Sequence, residues 1–225
     1  TTAPLVELVL LDSAAWLSRH PKGSPADLQA VASMDQQVSL LGALQAQPTS
    51  APRLLVMHHP VETAGPHGQG GGLADSAFLY HHPRLQQALR DGMFRGVLSA
   101  HDRSLQVIDE LADGVKRSSR VWLDYPVFQV VAGATSKPDG RPGAGPRRWK
   151  FYQGQALEPT LHSTHAGFAE LWIEAKRMTA RLHAHRRQWE VGEVVIPVAA
   201  PAFAEQTPSP GMEPCLNCNA PTAAR

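Results

Sequence analysis

Two apolar runs in this chain stop at a histidine. LLVMHHP at 54–60 reaches His58, and FRGVLSAHDRSLQ at 94–106 reaches His101. Strand ends are where α/β sheets hold their ligands. Two imidazoles at neighbouring strand ends can share a metal ion. A third histidine, His67, lies between the two runs in a glycine-rich stretch. The chemistry in view is therefore metal binding, with a polar group close by.

Those histidines need strands to position them. Residues 53–57 and 94–99 read as buried strands, because each is a short apolar run bounded by breakers. The segment between them holds 83–91, PRLQQALRD, a short helix with proline in its first turn. A connection that contains a helix is long enough for a crossover, which makes the two strands parallel. Their C-terminal ends then share one edge of the sheet, and His58 and His101 come together if the strands are neighbours. His59 should point to the opposite side of an extended chain and is not expected to join them.

Other segments complete an α/β pattern. LVELVLL at 5–11 reads as a buried strand. Residues 27–46 carry Leu28, Val31, Met34, Val38, Leu41 and Leu44 at helical spacing, with Asp27 as the expected N-cap. Strands are expected over 104–109 and 120–133. Residues 167–185 alternate on either side of Glu174–Arg177 and predict an antiparallel hairpin, and 189–196 adds a strand. His162, His165, His183 and His185 lie in or beside this hairpin and fit an exposed face. The expected organisation is one domain portion over 1–198 and a Pro/Ala-rich tail over 199–225.

Composition narrows the function classes. With 225 residues and 43% hydrophobic content, a sizeable core is expected. The formal net charge of +1 gives no electrostatic case for nucleic acid or an anionic membrane. No apolar run approaches the roughly 20 residues that span a bilayer. Cys215 and Cys218, the only cysteines, form a C-x-x-C in the tail. A zinc site needs about four ligands, so a local disulfide or two free thiols is the simpler reading.

The residues above carry a family resemblance. LLVMHHPVETAGPHG (54–68) resembles the G-H-x-P segment of calcineurin-like metallophosphoesterases, in particular the purple-acid-phosphatase-like branch. LSAHDRSLQVI (98–108) resembles its G-H-D-H-x-L-Q segment. VLLDS (9–13), VVAGATS (130–136) and HAGFAELWIE (165–174) resemble three further segments in the same order. The resemblance implies the C-terminal part of a four-layer α/β/β/α sandwich ending in an antiparallel hairpin. It implies a hydrolase of phosphomonoesters or phosphodiesters. His58 and His101 would bind one metal of a dinuclear Fe, Zn or Mn centre, and His67 would assist the leaving group or orient the ester. Such metals clamp a phosphoester and neutralise charge in the in-line transition state. Asp102 would orient a neighbouring ligand. Export to the periplasm or outside the cell follows by the same analogy.

Two departures weigh against a complete centre. Arg103 stands where the family has a second histidine, and a guanidinium offers no lone pair to a metal. It could instead bind the substrate phosphate bidentately. The family's D-x-H, G-D and G-N-H segments are absent, and the only asparagines are Asn217 and Asn219. The chain therefore reads as the half of the domain after those segments, with one metal or none in this part. It would associate with the missing N-terminal half or with another subunit. The alternative is a degenerate, non-catalytic scaffold or binding subunit of the same fold.

Overall fold

The computed structural model describes residues 5–17, 21–47, 49, 51–61, 63, 83–90, 92–108, 128–133, 149–150, 156–157, 161–174, 177–185 and 189–197. His67, Cys215, Cys218 and the tail lie outside the described residues.

The chain forms a mixed α/β structure. Strands β1 (Glu7–Leu10), β2 (Arg53–Val56), β3 (Gly96–Ser99), β5 (Phe128–Ala132), β4 (Leu105–Ile108) and β8 (Leu161–Ser163) lie side by side in that order. The first four run parallel, and β4 is antiparallel to both of its neighbours. A second, three-stranded antiparallel sheet holds β9 (Gly167–Ile173), β10 (Arg177–His185) and β11 (Trp189–Pro197), with β10 central. This contains the hairpin expected from the alternation. A two-stranded pair, β6 (Trp149–Lys150) and β7 (Ala156–Leu157), stands apart from both.

Side-chain alternation splits β2 between two cores. Leu55 joins Val9, Val97 and Phe94 under the helices α1 (Ser13–Trp16), α2 (Pro25–Gln45) and α3 (Pro83–Arg90), which contribute Trp16, Leu41 and Leu89. Leu54 faces the other way, with Val107, Phe128 and Val130, onto Met178, Ala180 and Leu182 of β10. The described residues thus build three layers: helices, a six-stranded sheet and a three-stranded sheet. The outer face of the smaller sheet carries exposed Phe168, Trp172, Val191 and Val195. His183 lies on that face, stacked on Phe168 and 3.1 Å from the Glu170 carboxylate.

Three expectations need correction. The α2 N-cap is Ser24, not Asp27: its hydroxyl accepts the Asp27 amide, and Pro25 occupies the first turn, where no N–H is needed. Asp27 instead accepts the Gly23 amide at 2.8 Å. The apolar stripe of α2 is buried only in its later part, where Met34, Val38, Leu41 and Leu44 pack; Leu28 and Val31 are exposed. The first strand is not buried on both faces. It is the sheet edge, with Val9 inside but Leu8 55% and Leu10 69% exposed.

Buried Arg53 ties three elements together. Its guanidinium donates to the Leu44 and Gln47 carbonyls at the end of α2, both at 2.7 Å, and to Glu7 on β1 at 2.7 Å. The hydrogen bond from Arg53, then that from Thr49, holds the Glu7 carboxyl below the usual carboxylate range. A lowered acid pKa in the fold means stability present above the ordinary carboxylate pKa and lost as pH falls through the lowered one. Glu7→Gln should therefore lower the urea midpoint near neutral pH, with the gap to wild type closing in acid. A gap independent of pH would exclude the ionised pair as its source.

Candidate metal centre

The C-terminal ends of three consecutive parallel strands build one site. Ser13 follows β1, His58 and His59 follow β2, and His101 follows β3. The parallel ladder continues past the strands: the Met57 amide donates to the Leu98 carbonyl and the Ala100 amide to the His58 carbonyl, both at 3.0 Å. These bonds fix the two histidine segments in register.

The structure brings His58 and His101 together. His101 Nδ1 lies 3.2 Å from His58 Nε2, with ring centroids 5.1 Å apart. Such a contact is an N–H···N hydrogen bond when one nitrogen is protonated. It is also close to the roughly 3.3 Å between two ligand nitrogens on a tetrahedral ion with bonds of about 2.0–2.1 Å.

His59 joins them, against the expectation from alternation. The strand ends at Val56 and the chain bends at His58 and His59, so the two-residue period no longer governs where the second ring goes. Its ring centroid is 4.3 Å from that of His101 and 4.8 Å from that of His58. One ligating atom from each of the three residues falls within 4.8 Å of the others. Ser13, which is buried, has its Oγ 2.9 Å from His59 Nδ1 and accepts the His59 amide at 3.0 Å.

His101 sits at φ +55°, the left-handed region, and is the only non-glycine residue with positive φ among those described. Its turn is held from below. Asp102 is fully buried and its carboxylate accepts from the Thr63 hydroxyl. Gln106 Nε2 donates to Thr63 Oγ1 at 2.8 Å and to Ser104 Oγ at 2.7 Å. The Gly133 amide donates to the Ser104 carbonyl at 3.1 Å. Asp102 thus anchors the turn to the loop after β2. Arg103, on the same turn, is exposed.

One ion fits this donor set. Three imidazoles that retain one unprotonated nitrogen each are borderline ligands suited to zinc, cobalt, nickel or copper. A dinuclear centre normally has a carboxylate between its ions, and the described cluster contains only histidines.

No family model matches the sequence, and no curated protein matches it. Solved structures of similar shape exist. One is described as GAP50, the anchor in the inner membrane complex of Plasmodium, with 12% identity and a TM-score of 0.60. The match covers 88% of this chain and 50% of that one, so this chain spans about half its length. Another is a structure of PhoD, with 13% identity, a TM-score of 0.45, and coverage of 76% of this chain and 36% of that one. The GAP50 likeness is one of fold. Among the described residues, no helix is long and apolar enough to cross a membrane.

Proposed function

We propose that this chain is the C-terminal portion of a metallophosphoesterase-like domain that hydrolyses phosphoesters. The observation that carries the reading is the approach of His58 and His101, 3.2 Å apart at the ends of adjacent parallel strands. The order of the sequence resemblances supports it. In this reading residues 1–198 belong to the domain's four-layer α/β/β/α sandwich and 199–225 is a tail.

His58 and His101 would hold the metal. An ion bound there would supply Lewis-acid stabilisation of a phosphoryl oxygen. Arg103, exposed beside them, would bind the phosphate with its planar fork and orient the ester. His67, outside the described residues, would donate a proton to the leaving oxygen. The Asp102–Thr63–Gln106 network keeps the His101 turn in place while the substrate is held.

A second reading, a non-catalytic scaffold of the same fold, is favoured by Arg103 in place of a ligand and by the all-histidine cluster. The test is metal content and hydrolysis of aryl phosphate mono- and diesters by the 225-residue chain. His58→Ala and His101→Ala should each lower metal affinity at least tenfold and abolish hydrolysis. Arg103→His should raise metal content if the site is an eroded dinuclear one. Metal binding without hydrolysis, by this chain and by the whole domain alike, would select the scaffold. Metal content unchanged in both alanine variants would remove the shared site altogether.

A further inference from the structure

We infer that His59 is a third metal ligand through Nε2, and that Ser13 is the positioning residue that selects this nitrogen. The site then holds one borderline divalent ion, of the zinc, cobalt, nickel and copper class. This inference rests on reading His58 and His101 as ligands; it sets the number of ions and their chemical class.

The argument starts from the proton on an imidazole. A ligating histidine is neutral, so one ring nitrogen faces the metal and the other carries the proton. Ser13 Oγ lies 2.9 Å from His59 Nδ1, so Nδ1 is engaged by the serine and Nε2 is the nitrogen that Ser13 does not touch; with an ion on Nε2, Nδ1 carries the proton and Ser13 accepts it. The same oxygen accepts the His59 backbone amide at 3.0 Å. Ser13 therefore fixes both the backbone and the ring of one residue. Because Ser13 is 2% exposed and begins α1, this anchor is built into the core side of the sheet. An outer partner of this kind is how proteins aim a metal-binding histidine.

The geometry needs little closure. One ring nitrogen from each of the three histidines lies within 4.8 Å of the others, and His58 and His101 already stand at 3.2 Å. Drawing the third nitrogen to a tetrahedral spacing of about 3.3 Å is within reach of side-chain rotation. Three nitrogens without a carboxylate discriminate against magnesium, calcium and manganese, which prefer oxygen.

The test is competition for Zn2+ and Mn2+ between the 225-residue chain and a chromophoric chelator, with folding followed by circular dichroism. Wild type should take up one zinc per chain and bind Mn2+ at least a hundredfold more weakly. His59→Ala should weaken zinc binding at least tenfold. Ser13→Ala should weaken it about ten- to a hundredfold, and Ser13→Thr, which keeps a hydroxyl, should recover most of it. Nitrogen-15 spectra of wild type give a readout that needs no variant: zinc should shift His59 Nε2 and leave Nδ1 protonated. Wild-type affinity in His59→Ala, zinc on Nδ1, or two ions per chain would each overturn the inference. Loss of zinc in His58→Ala and His101→Ala but not in His59→Ala sinks the third ligand alone. One zinc held by all three histidines, with no hydrolysis of phosphoesters by this chain or by the whole domain, leaves the ligand set standing and removes the phosphoesterase reading.

Discussion

Gly133→Ala should destabilise the protein by about 2 kcal/mol and weaken metal binding at least tenfold. Gly133 follows β5 and packs against the turn after β3. A Cβ there would fall on the carbonyl of Asp102 and close to the carbonyl carbon of Ala100. Both are backbone atoms, so no flexible side-chain end can yield. Either the end of β5 or the turn that carries His101 must move. The second response displaces His101 from His58, and the two losses therefore arrive together. Gly42→Ala in α2 provides a contrast of opposite sign. Nothing lies within 4 Å of its added methyl, and alanine replaces the least favourable non-proline residue in a helix interior. A gain of about 0.5–1 kcal/mol follows, with metal affinity unchanged. Chemical denaturation and zinc titration of the two variants check this. An intact zinc affinity in Gly133→Ala would show that the turn does not depend on this contact.

Arg53→Met should cost about 3 kcal/mol, read as a lower urea midpoint with an unchanged slope. The guanidinium satisfies the Leu44 and Gln47 carbonyls where α2 ends, and hydrogen bonds to a charged donor are among the stronger ones. Methionine fills the volume but leaves both carbonyls without that donor. Most of the cost comes from the carbonyls, because the Glu7 carboxylate meets solvent and regains water; the lost pair with Glu7 adds the smaller share. Arg53→Lys should recover only part of the loss, since one ammonium cannot match the fork that reaches two carbonyls and a carboxylate. A full recovery by lysine would mean that charge alone is at work.

Much of the site's framework was legible in the sequence because it rests on local pattern. Apolar runs ending at His58 and His101, with a helix between them, imply parallel strands whose ends share an edge, and β2 and β3 are indeed hydrogen-bonded neighbours. The hairpin of β9 and β10 followed from alternation alone. His59 was misplaced because alternation applies only while the chain is a strand, and β2 stops three residues earlier. Ser13 had no readable role, since its partner lies 46 residues away and only the fold joins them. The edge position of β1 was equally hidden. The run over 5–11, apolar except for Glu7, looks like an interior strand, and which neighbours a strand acquires is a tertiary fact. The four-residue α1 and three-residue β8 are too short to show a period.

The register between β2 and β3 has a thermodynamic consequence. His58 and His101 are 43 residues apart in the chain and meet only when the sheet is formed. Of this ligand set, an unfolded chain keeps only the adjacent pair His58 and His59 close together, so the complete set exists in the native state alone. An ion held there would make metal binding and folding linked equilibria and act as a reversible staple across two strands. At a free concentration a hundredfold above the dissociation constant, that linkage adds about 2.7 kcal/mol to the unfolding free energy. The melting temperature should then gauge site occupancy, rising with added zinc and falling back on chelation, with no substrate required.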